Sequence, residues 1–331
     1  MKSFVTGGNG FLGSHLIDRL LERGDEVHAL VRKNSNLRWL TGKKVQLHFG
    51  DIESDLSGVE EGLKDADLVF HLAGVIRARK EKTYYKVNAQ GTEKLLQSCL
   101  KVNPQVKRIV IVTSLAAHGP GRGDRPAMET DDCTPLSGYG ASKREAEKIA
   151  LRYMEQLPIT IIRPPAIYGP RDDQVLQFFR MVKKGFLFIP GGKRGGEARL
   201  TLAHVQDVVT GLLLAASSPK ALGEIFFVGE GHSYTWEQVG DTIRRALLGT
   251  PLWRVSVPKF VLYGLGIFAE IVTQVTGRLL PLNFSYARNF VQKNWTLDIS
   301  KAKRVLDFQP SYFLTRGIQE TVNWYQKEGW L

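Results

Sequence analysis

The fold is indicated by the stretch Thr6-Gly7-Gly8-Asn9-Gly10-Phe11-Leu12-Gly13, which follows a short apolar run at 2–6 and precedes an amphipathic one at 14–23. The glycines with the spacing G-x-x-G-x-x-G are Gly7, Gly10 and Gly13. Missing side chains let backbone N–H groups approach a pyrophosphate and let the helix pack closely on the strand. The positive end of the helix dipole then faces the anion. The stretch predicts a phosphate-binding turn between strand and helix, and a plain glycine-rich turn is the alternative.

Short apolar runs and amphipathic stretches alternate through the first half of the chain. Strands are predicted at 2–6, 26–31, 45–49, 67–71, 108–113 and 159–163, and helices at 14–23, 83–100 and 139–154. This alternation predicts an α/β fold, a Rossmann-type doubly wound parallel sheet with helices on both faces.

A smaller C-terminal substrate lobe is expected after residue 164. We assign 1–164 to the dinucleotide-binding domain and 165–331 mainly to the lobe. The two are interleaved, because segments near 200–230, including a strand predicted at 224–228, return to the first domain. Helices are predicted at 203–217 and 236–248.

Composition excludes several classes of protein. The 331 residues are 43% hydrophobic and 24% charged, which excludes disorder for most of the chain. Two cysteines exclude a disulfide framework and indicate a reducing compartment. No apolar leader precedes the motif at Thr6, so we expect a cytoplasmic protein. The seven histidines lack metal-ligand spacings, and no metal site is expected.

The net charge of +12 is compatible with nucleic acid, an anionic membrane surface or an anionic small molecule as partner. The basic residues are scattered and form no basic arm, so we expect no nucleic acid, a small-molecule substrate and a solvated basic surface.

The apolar segment 257–277 allows two interpretations. A helix packed on the core or over a pocket is favoured, because the clean apolar run near 260–269 falls short of the about 20 residues of a bilayer span. The alternative is a membrane-facing or substrate-facing lid, with peripheral membrane contact.

The residues after the second predicted strand bear on cofactor choice. NAD(H) sites carry an acidic residue about 20 positions past the glycines, where it binds the ribose 2′-hydroxyl. Here Arg32 and Lys33 occupy that region. A guanidinium can bind a 2′-phosphate through two hydrogen bonds, whereas a carboxylate would repel it. The sequence favours NADP(H), with NAD(H) and a solvated Arg-Lys turn as alternatives.

A candidate acid/base pair lies in Tyr139-Gly140-Ala141-Ser142-Lys143. The i, i+4 spacing places Tyr139 and Lys143 on one helix face, where an ammonium would favour the phenolate. Ser114 ends the fifth predicted strand, at the edge where open α/β sheets bind ligands.

These motifs and three further segments occur in an order that resembles the extended short-chain dehydrogenase/reductases. The further segments are His71-Leu72-Ala73-Gly74, Val87-Asn88-Ala89-Gln90-Gly91-Thr92 and Arg163-Pro164-Pro165-Ala166-Ile167-Tyr168-Gly169-Pro170. This group is also called the NAD-dependent epimerase/dehydratase family. The pattern is closest to dihydroflavonol reductases and 3β-hydroxysteroid dehydrogenase-like members.

The resemblance implies roles for particular residues. Tyr139 would exchange the proton at the reacting oxygen, Ser114 would orient that oxygen, and Lys143 would hold the nicotinamide ribose. The residues expected to contact the dinucleotide are Gly7, Asn9, Gly10, Phe11, Leu12, Gly13, Arg32, Lys33, Asp51, Ile52, Leu72, Ala73, Gly74, Tyr139, Lys143 and Pro164. A homodimer through the helices at 83–100 and 139–154 is expected from the resemblance alone.

Two departures weaken a sugar-nucleotide assignment: His118 stands where sugar-modifying members commonly have Tyr, and Ala166 where they often have Asn. We therefore favour an NADP(H)-dependent oxidoreductase of a lipid-, steroid- or flavonol-like hydroxyl or carbonyl. A nucleotide-sugar epimerase or dehydratase is the alternative, since Arg199 and the glycine-rich segment 191–196 could bind a diphosphate. A non-catalytic dinucleotide sensor is the third hypothesis.

Overall fold

A parallel seven-stranded sheet in the order β3-β2-β1-β4-β5-β6-β11 forms the centre of the computed structural model, which describes residues 1–191, 197–249, 251–276 and 284–331. The strands are β1 (Lys2–Thr6), β2 (Glu26–Val31), β3 (Val45–Phe49), β4 (Leu68–His71), β5 (Arg108–Val112), β6 (Ile159–Arg163), β7 (Ala166–Tyr168), β8 (Phe186–Pro190), β9 (Arg199–Leu200), β10 (Leu202–His204), β11 (Ile225–Phe227), β12 (Tyr234–Thr235), β13 (Trp253–Val257) and β14 (Asn294–Trp295).

Helices cover both faces of this sheet and build the C-terminal lobe. They are α1 (Phe11–Glu22), α2 (Ser57–Leu63), α3 (Glu81–Tyr84), α4 (Gly91–Val102), α5 (Leu115–His118), α6 (Gly138–Tyr153), α7 (Leu176–Lys183), α8 (Val205–Ser217), α9 (Trp236–Ala246), α10 (Lys259–Thr276), α11 (Phe284–Phe290), α12 (Ser300–Leu306) and α13 (Leu314–Lys327), with a π-helical turn at Tyr85–Gln90 and a 3-10 turn at Pro219–Ala221.

The core of the sheet lies in two layers, one on each side, and a third apolar cluster lies in the C-terminal lobe. Neighbouring strand residues point to opposite faces, so Val5 joins the cluster under α1 and α8, while Phe4 joins the cluster under α2, α4 and α6. Strands buried on both faces read as continuous apolar runs, which is why β5 and β6 were recognisable from sequence. The predicted Rossmann-type sheet is confirmed.

The predicted strand at 224–228 is confirmed as β11, which pairs in parallel with β6. The other elements differ from the predictions mainly at their ends. The predicted helix at 83–100 is interrupted by the π-helical turn. The first residues of the helix predicted at 203–217 belong instead to β10, which pairs with β7.

The expectation that segment 257–277 packs on the core is wrong for the described part of it. Within α10 only Gly266 and Ala269 are buried. By length and composition this helix could cross a membrane, and 11% of it is buried in the structure. Residue 277 lies outside the described residues.

A buried carboxylate fixes α6, the helix of the candidate acid/base pair. Glu147 is fully buried and accepts hydrogen bonds from Thr113 Oγ1 on the β5 side at 2.7 Å and from Arg163 at 2.7 and 2.6 Å. Arg144 on the same helix donates at 3.0 Å. Because a charge removed from water needs partners nearby, this set of contacts holds α6 at one position on the sheet.

Replacement of Glu147 by Gln should lower the free energy of unfolding by about 3–5 kcal/mol, because the charge of buried Arg163 loses its partner. Urea denaturation measures the change. Glu145→Gln on the same helix is the matched control; its ion pair with Lys148 is exposed, so its loss should cost under about 0.5 kcal/mol. Equal effects of the two substitutions would contradict this account.

Candidate active site

The glycine turn is too tight to accept side chains. Gly7 has a φ of 74°, and a Cβ there would lie 2.8 Å from the backbone nitrogen of Ala73. A Cβ on Gly13 would overlap the carbonyl oxygen of Gly7. Among the described residues, no side chain caps the N-terminus of α1 at Gly10. The turn therefore leaves helix N–H groups for an anion, and its shape fits the pyrophosphate of a dinucleotide.

Two other residues of the turn, Phe11 and Leu12, begin α1. Leu12 packs partly against the core, and Phe11 contacts His15 edge-on. Asn9 reaches across to the loop after β2, where its amide nitrogen lies 3.4 Å from the carbonyl oxygen of Asn36.

A chain of hydrogen bonds continues below the turn. The backbone nitrogen of Ala73 donates to Thr6 Oγ1, which lies 2.7 Å from His71 Nδ1. His71 Nε2 lies 3.0 Å from Thr92 Oγ1, whose proton goes to the carbonyl oxygen of Asn88. Burial lowers the pKa of His71 to about 3, so its ring is neutral and connects the two hydroxyls.

Arg32 and Lys33 lie exposed just beyond β2. The backbone nitrogen of Arg32 donates to Ser35 Oγ at 3.1 Å, and no ion pair is found for either side chain within the described ranges. Both cations are therefore accessible to a ligand from solvent.

Asp51 and Ile52, which the resemblance places at the dinucleotide, have different surroundings. Asp51 Oδ1 accepts hydrogen bonds from the backbone N–H groups of Glu53 at 2.7 Å and Ser54 at 3.3 Å. This carboxylate therefore stabilises the loop to which it belongs. Ile52 is buried close to Gly91 at the start of α4.

Lys143 lies beneath the segment that follows β4. Its Nζ donates to the carbonyl oxygen of Val112 at 3.0 Å, and a Cβ on Gly74 would lie 3.1 Å from Nζ. Burial lowers the pKa of Lys143 to about 8, and the nearby charge of Glu147 opposes the shift. The structure thus brings Leu72, Ala73 and Gly74 against both the glycine turn and the predicted lysine.

Tyr139 and Ser114 lie at the carboxyl ends of the central strands, half-buried. Tyr139 is in the first turn of α6, and its ring contacts the ring of Tyr84 at 6.2 Å. Ser114 accepts the backbone N–H of Ala116 and so caps α5. The next residue, Leu115, donates its N–H to the carbonyl oxygen of Pro164 at 2.8 Å, which holds Pro164 beside Ser114.

Asn88 is a site residue whose role the sequence did not reveal, although its motif was recognised. It is buried in the π-helical turn, and its side chain binds both the N–H and the carbonyl of Val75. It also donates to Ser142 Oγ at 3.0 Å, and Ser142 in turn donates to the carbonyl of Tyr139. Asn88 therefore positions the candidate acid/base helix; the turn that places it has no recognisable pattern.

Three further predicted positions lie apart from these contacts. His118 is buried, with its ring edge against Phe227. Ala166 is exposed at the start of β7, and Arg199 is exposed on β9. Of the predicted diphosphate segment 191–196, residues 192–196 lie outside the described residues.

Parallel strands, an uncapped glycine turn and a Ser, Tyr and Lys set at the same sheet edge together define a dinucleotide-binding α/β enzyme. The family model for the NAD dependent epimerase/dehydratase family matches residues 3–229. The chain belongs to this family, whose named relatives include reductases, epimerases and decarboxylases, and it is an NAD(P)-dependent enzyme.

Individual relatives extend along the whole chain. It is similar to the ceramide reductase of Caulobacter vibrioides, 27% identical over 99% of this chain and 95% of the relative. It is also similar to a 4-hydroxy-2-methyl-3-oxo-4-farnesyl-3,4-dihydroquinoline-1-oxide ketoreductase of Stigmatella aurantiaca, 29% identical over 87% and 90%. The solved UDP-glucose 4-epimerase of Thermotoga maritima, with UDP-glucose, is 26% identical, with a TM-score of 0.80 over 99% of each chain.

The buried ammonium of Lys143 should be visible in the pH dependence of stability. Between about pH 8 and its ordinary pKa of 10.5, this lysine is protonated in the unfolded chain but not in the folded one. The unfolded state then binds more protons, so stability rises with pH. Relative to Lys143→Met, the wild type should gain about 1.4 kcal/mol per pH unit across this window.

Urea denaturation without cofactor, repeated from pH 7 to pH 10, measures this gain. Lys148→Met is the matched control, because Lys148 is exposed on the same helix. The difference in free energy of unfolding between Lys148→Met and the wild type should not change with pH. If the free energies of Lys143→Met and the wild type ran parallel from pH 7 to pH 10, a buried, easily deprotonated Lys143 would be refuted.

Proposed function

We propose that the chain is an NADP(H)-dependent oxidoreductase that interconverts a hydroxyl and a carbonyl on an apolar, lipid-like molecule. A bound nicotinamide dinucleotide supplies or accepts the hydride. The residues that would hold it are those of the glycine turn, the segment from Leu72 to Gly74, and Lys143.

Residues at the carboxyl edge of the sheet would transfer the proton and orient the substrate oxygen. Tyr139 exchanges a proton with the substrate oxygen, while the Ser114 hydroxyl orients that oxygen by a hydrogen bond. The Lys143 ammonium, held by the Val112 carbonyl and screened from water, favours negative charge on the Tyr139 oxygen. Asn88 keeps α6 in position for both.

The apolar substrate class rests on Ala166. This residue is exposed two positions beyond Pro164, and its methyl group offers no hydrogen bond to a sugar hydroxyl. Burial of His118 likewise removes a polar group from the cleft. The names of two relatives, a ceramide reductase and a farnesyl-dihydroquinoline-oxide ketoreductase, support the same class.

A nucleotide-sugar epimerase or dehydratase is the second candidate, favoured by the full-length similarity to the UDP-glucose 4-epimerase. The homodimer through the helices predicted at 83–100 and 139–154 stays a prediction, which sedimentation can test.

Replacement of Tyr139 by Phe should reduce turnover of long-chain ketones with NADPH by at least about 100-fold, because general acid–base catalysis is lost. Dinucleotide affinity, measured by calorimetry, should change little. Tyr153→Phe at the end of the same helix is the matched control. Turnover of UDP-sugars by the wild type, with none of ketones, would overturn the proposal in favour of the second candidate.

Replacement of Arg32 by Ala should weaken NADP⁺ binding by about tenfold or more and leave NAD⁺ binding nearly unchanged, because only NADP⁺ carries the 2′-phosphate that a guanidinium binds. Arg19→Ala is the control, since Arg19 is an exposed arginine on α1. Equal losses for both dinucleotides would refute the role of Arg32.

A further inference from the structure

Helix α10 presents its most apolar face to the outside. Gly266 and Ala269 are its buried residues, and they are small. The opposite face carries large side chains at helical spacing, all exposed: Phe260, Ile267, Phe268, Ile271 and Val275. A helix of a water-soluble surface has the reverse pattern, with polar groups outward. The outward face of α10 is therefore suited to an apolar environment.

A second exposed apolar surface leads directly into this helix. Strands β8 and β13 pair in parallel, with Trp253 beside Phe186 and Val255 beside Phe188. These four side chains share one face and are exposed, while Leu187 and Ile189 on the other face are buried. Strand β13 ends at Val257, two residues before α10 begins.

Together the two surfaces concentrate the exposed apolar side chains of the chain. Twelve of the twenty exposed large hydrophobic residues in the described ranges lie within 186–188 and 248–275. Exposed apolar patches mark sites of interaction with proteins or membranes. We call this surface, formed by the outward faces of α10 and of the β8–β13 pair, the apolar platform.

The charge around the platform favours an anionic lipid surface over a second copy of the chain as its binding partner. Residues 176–191 and 241–276 hold seven basic side chains, Arg180, Lys183, Lys184, Arg244, Arg245, Arg254 and Lys259, and two acidic ones, Glu270 and Asp241, which pairs with Arg254. Two copies of the chain meeting face to face here would bring like charges together, which is unfavourable. An anionic lipid surface instead attracts basic residues beside buried apolar groups.

We propose that the apolar platform docks the enzyme peripherally on an anionic lipid bilayer. Helix α10 lies in the interface and inserts Phe268, Ile271 and their neighbours among the acyl chains, while Lys183 and Lys184 contact lipid phosphates. This proposal goes beyond the hydride-transfer activity and does not depend on the substrate class.

The contacts of α10 favour lying on the bilayer over crossing it. Helix α11 returns against α10, with the rings of Tyr263 and Phe284 5.5 Å apart. Strand β14, further along, pairs with β9 in the lobe, so the chain before and after α10 lies on one side. Exposed Glu270 flanks the buried face of the helix and would be costly within a bilayer.

Vesicle co-sedimentation of the whole chain tests the proposal without substrate or cofactor. Binding is compared between vesicles of phosphatidylcholine alone and vesicles of equal parts phosphatidylcholine and phosphatidylglycerol. We expect binding to the anionic vesicles that weakens as salt is added, because the attraction of the basic residues is screened.

Two double variants separate the apolar contribution to vesicle binding from the ionic one. Phe268→Glu with Ile271→Glu, and separately Lys183→Glu with Lys184→Glu, should each weaken binding by about tenfold or more. Leu222→Glu is the matched control, because Leu222 is 52% exposed outside the platform. Circular dichroism and NADP⁺ binding confirm that each variant is folded, so its result is independent of the reductase assays.

Three outcomes would overturn the proposal. The first is a folded wild type that binds neither vesicle at low salt. The second is loss of binding in Leu222→Glu equal to that in the platform variants. The third is an oligomer in sedimentation that dissociates with Phe268→Glu, which would assign the platform to a second copy of the chain.

Discussion

The buried ion pair between Glu147 and Arg163 is the contact on which the geometry of the site depends. Glu147 belongs to α6, Arg163 ends β6, and Thr113, which also donates to Glu147, follows β5. These elements carry Tyr139 and Lys143, Pro164, and Ser114 respectively. A charge removed from water must be matched by fixed partners. The same requirement that makes the pair costly to break thus sets the mutual positions of the groups proposed to act on a substrate.

A chain of neutral hydrogen bonds connects this half of the site to the glycine turn. It runs from Thr6 through His71 and Thr92 to Asn88, and then through Ser142 to the backbone of Tyr139. The turn that would hold the phosphates and the helix that would move the proton are therefore positioned by one continuous set of contacts across β4. The glycine turn and α6 are therefore linked and hold fixed positions relative to each other.

The parallel sheet was predictable because apolar runs alternate with amphipathic stretches, and because strands buried on both faces, such as β5 and β6, are continuous apolar runs. The glycine spacing predicted the phosphate turn, where a side chain on Gly7 or Gly13 would collide with the backbone. Asn88 was not singled out, since a π-helical turn differs from an α-helix by one residue and leaves no periodic trace. For α10 the sequence favoured a helix packed on the core and gave an outward-facing one as the alternative, which the structure supports. Hydrophobicity predicts burial, and a one-dimensional pattern cannot show which face of an apolar helix meets the rest of the chain.

The pairing of β11 with β6 has a consequence for how the chain folds during synthesis. Residues 1–163 contain six strands of the main sheet, yet the edge of β6 stays open until Ile225–Phe227 has left the ribosome. An unpaired apolar strand edge is a template for aggregation. In the nascent chain this edge of β6 stays unpaired while the more than sixty residues between β6 and β11 are synthesised. A fragment cut after residue 164 would lack β11 and would leave β6 as the edge strand of the sheet.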